Sequence, residues 1–349
     1  MNFCSDNVTG ASPEILTALV EASKGDVSSY GADPYTSRLE TLLAEVFETK
    51  LAVFPVPTGT AANALSLAAL TPPWGAVYAH AEAHVLVDEC GAPEFYSGGA
   101  KMVGLPGGNG KLTVATLATI LATSGKGDVH HNQPAAVSLS QATECGTVYT
   151  PAEIGAIDEV ARSYGLPLHM DGARFTNALV KLGCNPAEAT WKAGIDILSF
   201  GATKNGALMA EAIVVFRLDL AETLALRRKR AGHLLSKQRF VSAQLCAYLK
   251  DDLWLKNARH ANEQAARLSK GLATVPGVRL LYPVEANEVF VHLPQTIRTG
   301  LEAAGFKFYP WGSQEVEGGA VRLVTAFNTE VRVIDDFIAT THKLAAMAA

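Results

Sequence analysis

Lys204 stands between two apolar stretches, "DILSF" (196–200) and "AIVVF" (212–216), inside the run "GATKNG". Burial beside an apolar strand disfavours the ammonium form and lowers a lysine's pKa, which makes the amine a nucleophile. Upstream, the apolar run "LPLHMD" ends at Asp171, and Arg174 follows it in "DGAR". Further upstream, "PTGTAAN" puts Gly59 and Thr60 between a strand-like run and an apolar helix. Backbone N–H groups at a helix N-terminus, with a threonine hydroxyl, form an anion site. An anion cradle, a strand-end carboxylate and a strand-end lysine together suit one cofactor, pyridoxal phosphate. Its aldehyde takes a lysine amine, its phosphate a dipole-rich cradle, and its ring nitrogen a carboxylate that keeps it protonated.

The motifs "SDNVTG" (5–10), "YGADPYTSRLE" (30–40), "PTGTAANAL" (57–65), "AEAHV" (81–85), "HMDGARFTNA" (169–178), "GATKNG" (201–206) and "VRLVT" (321–325) span nearly the whole chain. In identity, order and spacing they resemble the L-threonine aldolases, within the aspartate-aminotransferase-like superfamily. The resemblance implies the α/β, fold type I architecture of pyridoxal-phosphate-dependent transferases. It implies that Lys204 forms the resting Schiff base, that Asp171 pairs with the pyridinium nitrogen, and that Gly59 and Thr60 hold the phosphate. Arg174 would reach a polar group of the cofactor or the substrate carboxylate. His84 falls where the family has a histidine stacked on the cofactor ring. Ser5 and Arg322 match positions that bind the substrate carboxylate, a task suited to arginine's fork. His130, with His131 beside it, matches a second histidine near the substrate's hydroxyl.

The implied reaction is retro-aldol cleavage of a β-hydroxy-α-amino acid to glycine and an aldehyde, with His84 or His130 as the base. L-Threonine, L-allo-threonine and bulkier β-aryl serines are the candidate substrates. The resemblance also implies a homodimer or homotetramer with shared active sites. Two departures mark a subfamily. Many members carry Ser-Lys-Gly-Leu at the lysine, whereas this chain has Thr203-Lys204-Asn205-Gly206, with Glu211 shortly after. Thr203 keeps a hydroxyl for a phosphate contact. "AGHLLSKQ" replaces a glycine-rich turn after the basic run "RRKRAGHLLSKQR" (227–239). If that run anchors phosphate, Arg230 and Lys237 are the candidates, supplied by a neighbouring subunit; a solvated helix face is the other reading. Transamination and β-elimination share this cofactor machinery, and a catalytically inert cofactor-binding protein is a third alternative.

The elements that must position these residues alternate. "LAVFPV" (51–56), "AVYAH" (76–80), "AAVSLS" (135–140), "LPLHMD" (166–171), "DILSF" and "AIVVF" read as strands. "GTAANALSLAAL" (59–70) reads as a buried alanine-rich helix. "TPAEIGAIDEVARSYG" (150–165) carries a capping box from Thr150 to Glu153, proline at its first position and a terminal glycine. This alternation predicts a mostly parallel sheet flanked by helices, with ligands at the strand ends. Beyond residue 240 one long helical stretch precedes "VRLLYP", "EVFVHL", "FKFYPW" and "AVRLVTAF". That pattern predicts a small α+β domain over 241–349, after a cofactor-binding large domain over 1–240 that includes the N-terminal segment.

Bulk properties exclude other classes. A net charge of −5 over 349 residues gives no basic field for nucleic acid or anionic membrane. No apolar run reaches membrane-spanning length, and the first residues do not read as a signal peptide. The five cysteines are odd in number and form no C-x-x-C pair, which fits reduced thiols in a cytoplasmic protein. "GLPGGNGKL" (104–112) lacks the spacing of a phosphate loop and reads as a tight turn. His80 and His84 in "HAEAH" lack a third ligand nearby, so no metal is expected.

Overall fold

The computed structural model of the protein describes residues 1–312 and 319–348. The strands read from sequence appear as β1 (Ala52–Val56), β2 (Gly75–His80), β4 (Gln133–Ser140), β5 (Leu168–Gly172), β6 (Ile195–Gly201) and β7 (Glu211–Val215), with β3 (Lys101–Leu105) added. They form a seven-stranded sheet in the order β1-β7-β6-β5-β4-β2-β3. Pairs β2/β3, β2/β4, β4/β5 and β5/β6 are parallel, while β7 runs antiparallel to both β6 and β1. The C-terminal ends of β2, β4, β5 and β6 therefore open on one edge of the sheet.

The helix Gly59–Leu70 packs against β4, β5, β6 and β7. Its run Ala61–Ala68 is buried throughout, which is why it is apolar on every side instead of amphipathic. Burial of Leu65 and Leu67 contributes roughly 1.5–3 kcal/mol each. Thr58 caps this helix by accepting the N–H of Ala61 at 3.1 Å. On the other face, helix Pro151–Ser163 begins with the capping box expected of Thr150 and Glu153 and is followed by Gly165 at φ 73°.

Two features differ from the sequence reading. The long helical stretch is two helices, Arg239–Leu249 and Leu253–Leu272, broken at Lys250–Asp252. Asp251 and Asp252 take the left-handed region, which aspartate tolerates, and the bend lets Tyr248 and Trp254 both enter the main core. The basic run is likewise not one helix: Ala221–Arg230 ends before the turn that leads to Arg239. Within it Arg228 points inward, donating to Pro55 O at 3.2 Å with its guanidinium 5.3 Å from the Phe54 ring.

A second sheet, β10-β11-β9-β8, is antiparallel and comprises β8 (Arg279–Leu280), β9 (Glu288–His292), β10 (Tyr309–Pro310) and β11 (Ala320–Val324). Its core includes Leu268, Val291, Leu323 and Phe337 together with Phe3. The N-terminus lies along this sheet: Phe3 N–H donates to Lys307 O and Val324 N–H donates to Phe3 O. That placement carries Ser5 and Asp6 to the gap between the two sheets.

Candidate active site

A cavity of about 1220 Å³ occupies the open edge of the large sheet and reaches the small one. Lys204, half-buried, lines it from the turn after β6. The departure from the family pattern at Asn205-Gly206 has a structural reason. Asn205 Nδ2 donates to the Tyr248 hydroxyl at 2.6 Å and to Trp254 O at 2.9 Å, while its own carbonyl accepts from Asn257. Gly206 sits at φ 108°, and a Cβ there would overlap Ser12 Oγ and Asn257. The turn is thus pinned from below while Lys204 points away from the pins into the cavity.

Asp171 ends β5. Its Oδ1 accepts the N–H of Ala173 at 3.0 Å and its Oδ2 accepts from Asn63 Nδ2 at 2.8 Å. The same Asn63 nitrogen donates to Glu89 Oε1 at 2.8 Å, and Glu89 Oε1 lies 2.9 Å from His84 Nδ1. The hydrogen bond to Glu89 raises the His84 pKa against the opposing effect of burial, and burial raises Glu89. His84, Glu89 and Asp171 bring ligand atoms within 4.8 Å of one another, and the amide nitrogen of Asn63 ties the two carboxylates together. His80 does not join them: its Nδ1 accepts from Glu82 N–H and its Nε2 meets Gly107 O.

Gly59, Thr60 and Thr203 line the cavity together with Thr58. A Cβ on Gly59 would meet nothing within 4 Å, so this helix N-terminus is open to a ligand. Thr203 Oγ1 accepts the N–H of Ala210, and Glu211 accepts the N–H of Ala202; burial pushes the Glu211 carboxyl up to about 7.

On the opposite side stand Ser5, Arg174 and Arg322. Arg174 is gripped by Asp6 through two bonds, Nε to Oδ2 at 2.8 Å and Nη2 to Oδ1 at 3.0 Å, and its Nη1 lies 3.4 Å from Glu288. Burial would raise Asp6, yet Arg174 and Lys204 hold it below its ordinary value. Arg322 donates to Cys4 O at 3.2 Å and lies 3.9 Å from Glu288, and its Nε has no partner among the described residues.

The structure does not bring His130 to this cavity. It is exposed ahead of β4, where its N–H donates to Asp128. The site lies beyond the other end of that eight-residue strand, roughly 25 Å away along the sheet. Arg230 and Lys237 are also exposed and line no part of the cavity in a single chain.

Several cavity residues escaped the sequence reading: Asn63, Glu89, Glu144 and Glu288, with Asp6 behind Arg174. Asn63 was detectable, since it follows Gly59 by one helical turn and shares its face. The others sit in loops and strand ends whose convergence no local pattern reports.

The residues fit pyridoxal phosphate. A strand-end lysine, a carboxylate held by two N–H donors, and an open helix N-terminus flanked by the Thr60 and Thr203 hydroxyls line one space. The amide oxygen of Asn63 and Glu89 Oε2 are buried without partners among the described residues. Comparison with known proteins agrees. Residues 2–296 match the family model described as beta-eliminating lyase. The chain is 46% identical over 329 residues to a low specificity L-threonine aldolase of Pseudomonas aeruginosa, covering 94% of this chain and 93% of that one. A second such enzyme, from a Pseudomonas species, is 44% identical with coverage of 94% and 93%. The fold superposes on a threonine aldolase of Leishmania major with TM-score 0.92 and 29% identity over 99% of both chains. An aspartate aminotransferase of Rhodobacter sphaeroides shares the fold at TM-score 0.72 and 16% identity, over 99% of this chain and 92% of that one. With its lysine, carboxylate and arginines gathered around one cavity, this chain belongs to the beta-eliminating lyase family, among the low specificity L-threonine aldolases.

Proposed function

We propose that the protein cleaves β-hydroxy-α-amino acids, L-threonine and L-allo-threonine foremost, to glycine and an aldehyde, with pyridoxal phosphate held on Lys204. The observation that carries this reading is the arrangement of the cavity: Lys204 and Asp171 on the large sheet face carboxylate-binding arginines beside the small one. Arg322, with an unpartnered Nε, takes the substrate carboxylate, and Ser5 assists. Arg174, locked by Asp6, supplies fixed positive charge next to it. A clamped carboxylate fixes rotation about the bond from nitrogen to Cα and so selects which bond of Cα breaks. Bound pyridoxal phosphate supplies an electron sink for the pair released at Cα, and Asp171 keeps its ring nitrogen protonated. His84, backed by Glu89, would lie against the cofactor ring. Lys204 would hold the cofactor aldehyde and, with its amine free, would hold a proton beside Cα.

A single chain supplies hydroxyls and backbone N–H groups for the phosphate. The described lysines and arginines of the cavity are Arg174, Lys204 and Arg322, all with other tasks. Arg230 or Lys237 of a neighbouring copy completes the phosphate site in this reading, in a homodimer or homotetramer. Its five free cysteines suit the cytoplasm, and no helix among the described residues is long and apolar enough to cross a membrane. The test is product analysis with L-threonine and cofactor-loaded protein. Acetaldehyde and glycine in equal amounts are expected; a 2-oxo acid with ammonia would reassign the chain to elimination.

A further inference from the structure

With His130 outside the cavity, the β-hydroxyl of the substrate lacks one of the two bases expected for it. His84 has its Nδ1 engaged by Glu89 and is assigned above to the face of the cofactor ring, which leaves the β-hydroxyl to another group. One other group fits. Glu144 lines the cavity in the loop after β4; its Oε1 accepts from Ser140 Oγ at 2.6 Å and from the backbone N–H of His84 at 2.8 Å. Its Oε2 is buried and has no hydrogen-bond partner among the described residues. A buried carboxyl oxygen without a partner is costly unless a proton or a ligand donor meets it. Since Glu144 lines the cavity, a hydroxyl of a substrate bound there can supply that donor.

We propose that Glu144 is the acid–base residue of the cleavage, the group that takes the proton of the substrate's β-hydroxyl. The proposal rests on the retro-aldol reading above. The O–H bond breaks and its proton goes to the Glu144 carboxylate. The oxygen's pair forms the C=O bond of the aldehyde as the Cα–Cβ bond breaks, and the pair from that bond stays with Cα, which is then protonated to give glycine. No outside oxidant or reductant is needed. Burial pushes the Glu144 carboxyl up to about 7, where a group can both accept and return a proton near neutral pH. The titratable groups around it are Asp171 on β5, His84 on its short helix, and Cys145 and Tyr149 on its own loop; Glu82 and Glu288 bear on Cys145, and Glu153 on Tyr149. Cys145 is pushed up to about 11 by burial and stays neutral. Glu211, the other carboxyl near 7, is bonded within the Lys204 turn.

The decisive variant is Glu144→Gln, because glutamine keeps an oxygen to accept from Ser140 and His84 but cannot take a proton. In cofactor-loaded protein it should lower kcat for aldehyde release by roughly 10²–10⁴-fold. It should leave the visible absorption of lysine-bound cofactor and the deuterium exchange of glycine's α-proton, followed by NMR, near the wild-type values. In wild type kcat/KM should rise with pH through about 7, as the base form accumulates. Glu144→Gln should abolish that rise, and Glu144→Asp should keep it at a lower level. Cleavage by Glu144→Gln within a few-fold of wild type, or an unchanged pH rise, would overturn the assignment. So would parallel loss of absorption, exchange and cleavage, which would mean that Glu144 only organises the site. If wild type itself releases no aldehyde from any β-hydroxy amino acid, the reaction assignment fails first, and this one with it.

Discussion

The turns after β6 and β4 leave the same edge of the sheet and serve one cavity, but they are built differently. After β6, Asn205 bonds to Tyr248 and Trp254, Gly206 O accepts from Ser12, and the functional side chain, Lys204, takes no part in holding the turn. After β4, Gln141 and Tyr149 exchange side-chain and backbone bonds while Thr143 and Thr147 share Asn109 O. There the proposed acid–base side chain is itself part of the scaffold, since Glu144 accepts from Ser140 and His84. In the proposed reading, a lysine that must be able to move is left free by its turn. A proton acceptor that needs one geometry and a raised pKa is built into its loop.

Breaking the first turn's chemistry has the largest expected effect. Lys204→Ala should abolish the visible absorption of lysine-bound cofactor and lower aldehyde release below detection, where Glu144→Gln keeps the absorption and loses only cleavage. Retained turnover by Lys204→Ala would erase the distinction between the two turns. Asn205→Ala tests the pins alone. Removing a donor from two buried acceptors should cost about 1–3 kcal/mol of stability, read as a lowered thermal midpoint with the nucleophile still present. An unchanged midpoint would show that the turn is held elsewhere. The smallest effect belongs to His130→Ala, which should leave cleavage and stability unchanged within about 0.5 kcal/mol. A large loss of activity would mean that His130 reaches a site in another copy of the chain.

The same contrast explains what was legible in the sequence. Lys204, Asp171 and Gly59 sit where periodic apolar strands stop, so the change from strand to turn marks them, and the strand–helix alternation fixes the edge on which they meet. Ser5 and Arg322 could be named through the family resemblance, although only the pairing of the N-terminus with the small sheet explains how they arrive. His130 was misplaced because local matching of a histidine carries no information about which end of β4 it occupies. Glu144 was missed for the complementary reason: a glutamate in a polar loop looks solvated until burial and an unpartnered oxygen are seen. The break at Asp251 and Asp252 was hidden because both flanking segments are genuine helices, and the bend is set by where Tyr248 and Trp254 pack.

The claim beneath all of this is that Lys204 is the residue that carries the cofactor. Reduction of the pyridoxal-phosphate-loaded protein with borohydride, followed by peptide mapping, measures it directly. The expected result is one phosphopyridoxyl label, on the peptide containing Lys204. A label on a different lysine, or a loaded protein that acquires none, would contradict the account.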